Sequence, residues 1–221
     1  MPEPASIALL STGCFGLTVR YLRSKYRSAR PYVEWALALA LFVLSMPAMA
    51  LCAVLIKLTS RGPVFYLQER VGLRGRRFML IKLRTMYEDA EAHTGPQWAN
   101  GDDDPRVTPI GRFLRTTHLD ELPQLVNVLR GEMAIVGPRP ERPHFVEQLK
   151  KVVPDYEKRL AIKPGITGLA QVNAGGDRCL RDVRRKVLLD CMYLRRMCWW
   201  VDFVILGRTV LRALRLRRSE G

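Results

Sequence analysis

Residues 35–56 read WALALALFVLSMPAMALCAVLI, twenty-two consecutive positions without a charge. At about 1.5 Å rise per residue, a helix of that length reaches roughly 33 Å, the thickness of a bilayer's hydrocarbon core. A buried helix of a soluble domain seldom needs so long an uncharged run, so the segment predicts membrane insertion. Pro47 sits in its middle, where a missing N–H and a ring clash kink or break a helix. Both flanks are basic: Arg20, Arg23, Lys25, Arg27 and Arg30 precede the run, and Lys57, Arg61, Arg70 and Arg74 follow it. Basic flanks stay on the cytoplasmic side. When both flanks are basic, a helix that enters, turns at the proline and leaves by the same face satisfies both, which favours a re-entrant helix over a span. The break leaves backbone groups that need partners inside the membrane, and Ser45 is placed to help.

Outward from this segment, residues 5–19 (ASIALLSTGCFGLTV) form a shorter apolar run without a charged n-region, which fits a cleaved signal peptide badly. At the other end, FVILGRTVLRALRLRR (203–218) sets Arg208, Arg212 and Arg215 at helical spacing. That pattern suits an amphipathic helix lying on anionic membrane lipids. The organisation expected is a basic N-terminal extension (1–30), a re-entrant membrane helix (31–57), a cytoplasmic domain (58–202) and a basic C-terminal helix (203–221).

The chain has 221 residues and a formal net charge of +15, and 28 of its 36 basic residues are arginine. Arginine's planar fork favours phosphate, so anionic partners are implied: nucleic acid, anionic lipid or a phosphorylated substrate. No helix-turn-helix, zinc or RNA-binding signature accompanies the charge, and nucleic-acid binding leaves the apolar run without a purpose. Five scattered cysteines without a CxxC pair argue against a disulfide framework or a zinc site. Nothing in the sequence sets the oligomeric state, and a homo-oligomer is compatible with it.

Within the polar body, GPVFYLQERVG and RRFMLIKLRTM read as two short strands joined by the basic turn LRGRR. Residues 85–105 are acidic and turn-rich, reading as a helix end followed by a loop, with Asp102, Asp103 and Asp104 in a solvated turn before Pro105. GRFLRTTHLDELPQLVNVLR (111–130) begins as a basic helix, breaks near Thr117, and restarts with Asp120 or a neighbour at the cap and Pro123 in the first turn. Acidic residues at a helix N-terminus are also what the helix dipole favours, so Asp120 and Glu121 alone do not mark a site. Their surroundings do more. Arg115 lies just before them, and GPRPERP (137–143) follows with prolines on both sides of Arg139, a stiff mount for a phosphate-binding guanidinium. A carboxylate kept ionised by fixed cations can act as nucleophile or metal ligand. Mg²⁺ is usually held by one or two carboxylates plus substrate phosphates. Paired carboxylates among arginines therefore suit phosphoryl transfer.

The stretches LIKLTSRGPVFYLQERVG, FMLIKLRTM, DPRVTPIGRFLR, LDELPQLVNVLRGEMAIVGPRP and KPGITGLAQVN closely resemble the bacterial sugar transferases, the monotopic polyprenyl-phosphate phosphoglycosyl transferases. The likeness runs from about Arg30 into the final helix, in family order, and the chain looks like the short, minimal type. The resemblance implies an α+β, mostly helical fold: a re-entrant membrane helix hairpin broken at a proline, and a compact cytoplasmic domain with interfacial amphipathic helices and a small β element. It places the protein in the bacterial inner membrane with its catalytic domain on the cytoplasmic face. It further implies a ping-pong reaction in which Asp120 attacks the β-phosphate of a UDP-sugar and releases UMP. Polyprenyl (undecaprenyl) phosphate then accepts the sugar phosphate, and glycan or exopolysaccharide assembly begins. Glu121 matches the family's Mg²⁺ ligand. Arg115 and Arg139 match phosphate-contacting arginines, Lys82 and Arg84 fall near the same site, and Asp190 and Tyr193 match a late motif linked to it. The family's helix break is commonly Ser-Pro, whereas here Met46 separates Ser45 from Pro47. A non-catalytic membrane scaffold on the same fold is the alternative; the intact Asp120–Glu121 pair argues against it.

Overall fold

A computed structural model describes residues 4–88, 90, 104–174 and 179–218, with side chains described from residue 24 to residue 213. Helix α1 (Pro4–Thr59) carries the apolar run. Its Ser24–Thr59 portion has an 18-residue window of mean hydropathy 2.5, only 11% of it buried against the protein, so it is not a core helix. The helix runs uninterrupted through Pro31 and Pro47, and neither the expected hairpin nor a proline kink is resolved in it. Pro47 cannot donate to the Val43 carbonyl. Ser45 Oγ donates to Phe42 O at 3.0 Å, one residue away from that carbonyl. The serine is thus engaged, but the Met46 offset puts its hydroxyl on a neighbouring group.

The two ends of the apolar run pack on the protein and its middle does not. Tyr26, Arg30 and Ala38 are buried at one end, Cys52 and Ile56 at the other, while Val43, Leu44, Met46 and Leu51 between them are exposed. Ala38 joins a core of Leu80, Leu125, Val128, Met133, Ile135, Val136, Tyr193 and Ile205, whereas Cys52 and Ile56 join Leu83 and Leu114.

The two predicted strands form an antiparallel hairpin, β1 (Phe65–Val71) with β2 (Arg77–Leu83). Its basic turn uses positive φ at Arg74 and Gly75. Among the described residues no helix follows β2 before Pro109, and Met86 bridges to Val107; the rest of the stretch expected to hold a helix end and loop, 89 and 91–103, lies outside the described residues. Asp104 is buried and gripped by Arg106 at 2.8 and 2.6 Å, so it does not lie in a solvated turn; Asp102 and Asp103 fall outside the described residues. Helix α2 (Pro109–Thr116) starts on a Thr108 cap, whose Oγ accepts from Gly111 N at 2.9 Å. After one 3₁₀ turn, Leu119–Glu121, comes α3 (Gln124–Leu129). A parallel pair not read from the sequence, β3 (Ala134–Val136) with β4 (Gly165–Thr167), follows the α3 turn. The remaining helices are α4 (Pro143–Val152), α5 (Leu169–Asn173), α6 (Leu180–Arg196) and α7 (Trp199–Arg218).

In α7 the first arginines of the stripe stay exposed while bonding α5. Arg208 donates to Asn173 Oδ1 at 3.0 Å and Arg212 to Gln171 O at 2.7 Å; the Arg215 side chain lies outside the described set. The same helix also exposes an apolar stripe: Trp200, Phe203 and Val210, at helical spacing, with Leu211 beside them.

Candidate active site

His118 holds a left-handed backbone (φ 57°) and ends α2, so the next turn swings Asp120 and Glu121 toward the hairpin. Lys82, from β2, meets them there, its Nζ 2.8 Å from Glu121 Oε1 and 4.0 Å from Asp120 Oδ2. Arg139 grips Glu121 with both ends of its fork, 2.6 Å to Oε1 and 3.4 Å to Oε2. Arg115 sits four residues after Gly111 on α2. A Cβ at Gly111 would lie 2.0 Å from Thr85 O, so only glycine lets the helix pack this closely. The same face carries Arg115, whose Nε donates to Thr85 Oγ1 at 2.9 Å.

These contacts divide the two carboxylates electrostatically. Burial acts to raise Glu121, but Arg139 and Lys82 outweigh it and hold its carboxyl well below the usual range. For Asp120 burial prevails and Glu121 adds to it, so its carboxyl is raised although Lys82, Arg139 and Arg115 pull the other way. Asp120 is buried, and among the described residues its carboxylate accepts no hydrogen bond. One acid is thus locked by cations and its neighbour is left with uncommitted oxygens, the arrangement a nucleophile needs.

The donor set fits Mg²⁺ in kind: two adjacent carboxylates, to which substrate phosphates would add. No group of three or more acidic, His or Cys residues able to hold an ion alone occurs among the described residues. With Lys82, Arg115 and Arg139 already around the pair, a divalent ion is better tolerated when it arrives with a diphosphate than by itself.

Several supporting residues escaped sequence reading. Asn127, fully buried in the apolar LVNVL stretch, accepts from Ile81 N at 3.1 Å and donates to Met79 O at 2.8 Å, fixing the β2 edge beside Lys82. A buried polar side chain inside an apolar helix was the available signal. The loop carrying Arg139 is held by Arg159, which donates to Arg139 O at 3.0 Å and pairs with Asp190 at 2.9 Å. Arg70 holds the same loop through Pro140 O and Glu141, each at 3.1 Å. Asp190 therefore reaches the site through Arg159 and the Arg139 backbone.

Two of the expected residues are not brought to the carboxylate pair. Arg84, one residue past the end of β2, is buried and donates to Ser60 O at 3.0 Å and Ser60 Oγ at 2.8 Å, tying α1 to the hairpin. Tyr193 is buried and donates to Asp202 Oδ1 at 2.6 Å; burial holds its phenol far above the usual range, so it remains a donor.

Residues 25–216 match the family model described as bacterial sugar transferase. The chain belongs to that family. Among similar curated proteins, the UDP-N-acetylgalactosamine-undecaprenyl-phosphate N-acetylgalactosaminephosphotransferase of Aeromonas hydrophila is 44% identical over 74% of this chain and 38% of its own length. The undecaprenyl-phosphate glucose phosphotransferase of Komagataeibacter xylinus is 39% identical over 94% of this chain and 40% of its own. The UDP-glucose:undecaprenyl-phosphate glucose-1-phosphate transferase of Caulobacter vibrioides is 42% identical over 80% and 66%. This bacterial sugar transferase thus spans about two fifths of the first two relatives and about two thirds of the third.

Proposed function

We propose that the protein transfers a sugar 1-phosphate from a UDP-sugar to polyprenyl phosphate, releasing UMP. The observation that carries this reading is the split pair: Asp120, buried with uncommitted oxygens, beside Glu121 locked by Lys82 and Arg139. An Asp120 oxygen attacks the β-phosphorus, the bond from that phosphorus to the oxygen bridging it to the α-phosphate breaks, and UMP leaves with the bridging oxygen. The sugar phosphate is then held on the carboxylate as an acyl phosphate. An oxygen of the lipid phosphate attacks the same phosphorus and restores the Asp120 carboxylate, giving a ping-pong reaction. Arg115 and Arg139 neutralise phosphate charge, and Lys82 offsets the repulsion between the two carboxylates and favours their ionised forms, positioning and charge being most of what phosphoryl transfer requires. Glu121, with Asp120, would hold Mg²⁺, which when bound supplies charge neutralisation on the diphosphate.

The membrane topology belongs to the same reading. The two ends of the apolar run pack on one body, Tyr26 and Arg30 against Asp202 and Val136, Ile56 in the cluster of Leu83 and Leu114. A helix crossing the bilayer would carry one of these ends to the far side. We therefore infer that α1 does not cross the bilayer, and place the body on the cytoplasmic face of the inner membrane with the apolar stripe of α7 on the lipid surface.

The test is product identity. Purified protein in nanodiscs, given undecaprenyl phosphate and a panel containing UDP-glucose and UDP-N-acetylgalactosamine, should release UMP with at least one donor. Release of UDP would mean simple glycosyl transfer and would overturn the reading.

A further inference from the structure

The membrane helix and the site arginine are joined by a short, stiff path. At the foot of α1, Glu34 Oε1 accepts from Ile135 N at 3.2 Å and Val136 N at 3.4 Å, and Arg30 donates to Val136 O. Arg30 and Glu34 also pair with each other at 3.0 Å, one helical turn apart. On the other side, β3 is held by β4, Ala134 N donating to Pro164 O and Gly137 N to Thr167 O, each at 2.8 Å. Between those two bonds to the β4 segment, the Ile135 and Val136 N–H groups are the ones Glu34 takes. Two side chains of the membrane helix thus hold the strand from its outer side.

Only Gly137 and Pro138 separate Val136 from Arg139, and neither gives slack. A Cβ at Gly137 would lie 2.6 Å from Lys163 O and 2.8 Å from Gly165 N, so this residue is wedged against the β4 segment. Pro138 and Pro140 fix φ on both sides of Arg139. A shift of β3 therefore passes to the Arg139 fork, which meets Glu121 at 2.6 Å.

We propose that Arg30 and Glu34 are positioning residues: by holding β3 they set where Arg139 meets Glu121 and the donor diphosphate, so that seating of the membrane helix and assembly of the site are one event. This rests on the site reading above. Neither residue touches substrate, and both act through Arg139.

A double-mutant cycle tests it, read as the pre-steady-state rate of UMP release from donor alone. Glu34→Ala should slow release about tenfold, the size of effect that a misplaced group can produce, and Glu34→Gln, which keeps the accepting oxygen, should recover most of it. Glu34→Asp, which keeps the charge but withdraws it from the strand, goes through the same cycle in case the alanine variant folds poorly. In an Arg139→Lys background either substitution should change the rate less than about twofold, because residues acting through one partner are not additive. An equal loss in both backgrounds would overturn the inference and leave the site reading standing. An Arg139→Lys variant that itself releases UMP at the normal rate would instead sink the site assignment, and the inference with it. Tyr26→Phe, which loosens the same helix foot without touching β3, should lower the melting temperature and leave the UMP rate unchanged; a matching rate loss there would show general loosening and overturn the inference.

Discussion

Asp202 and Asp120 are both buried aspartates close to a basic side chain, yet they are finished differently. Asp202 receives a phenol on each oxygen, Tyr193 on Oδ1 and Tyr26 on Oδ2, both at 2.6 Å, with Arg30 at 3.7 Å. Asp120 has Lys82 at 4.0 Å and no hydrogen bond to its carboxylate among the described residues. The first cluster is closed, every acceptor matched by a protein donor, as stability requires. The second is held open on one side, with the cations placed on Glu121 instead. Closure marks the joint between membrane helix and body, and the opening is where the proposed substrate phosphate would enter.

The largest test of that contrast is Asp120→Asn. It preserves shape but removes the proposed nucleophile, and should reduce turnover by about a thousandfold or more; activity near wild type would erase the distinction. Chelating divalent metal should next stop UMP release from donor alone, and full release without metal would contradict a metal role for Glu121. A smaller effect is expected in the pH profile. Asp120 must be ionised to attack, so activity rises with pH through its pKa, and because that pKa is raised the acid limb should lie above the ordinary aspartate value of about 3.9. Lys82→Met removes a cation that pulls the value down and should move the limb to still higher pH; an unmoved limb would mean that Lys82 does not face Asp120 in solution. At the closed cluster, Tyr26→Phe should cost about 1.5–3 kcal/mol, the range for a hydrogen bond to a charged group. Thermal melting in detergent checks it, and an unchanged melting point would show that the joint is not closed by that bond.

The local features of the fold were readable because they are written in adjacent residues: the hairpin around LRGRR, the break near Thr117, the apolar run. What was not readable depends on chain segments meeting. The pairing of Ala134–Val136 with Gly165–Thr167 joins two three-residue strands too short to show a period. Lys82 and Glu121 stand 39 positions apart and meet only because Asn127 fixes the β2 edge against α3. Asp190 and Tyr193 share one motif yet diverge, Asp190 holding Arg159 and Tyr193 closing on Asp202, since three residues on a helix need not serve one neighbour. The arginines of α7 were visible as a stripe, but periodicity alone does not tell that Arg208 and Arg212, while exposed, also bond Asn173 and Gln171 of α5. Pro47 marks a lost hydrogen bond at one residue, while the helix around it continues.

In the proposed reaction Asp120 carries the sugar phosphate between the two substrates. Mass spectrometry of the protein quenched after mixing with UDP-sugar alone measures this most directly. A peptide containing Asp120 heavier by one sugar phosphate, and absent in Asp120→Asn, is the predicted result. An unmodified peptide under conditions that sustain turnover would contradict it.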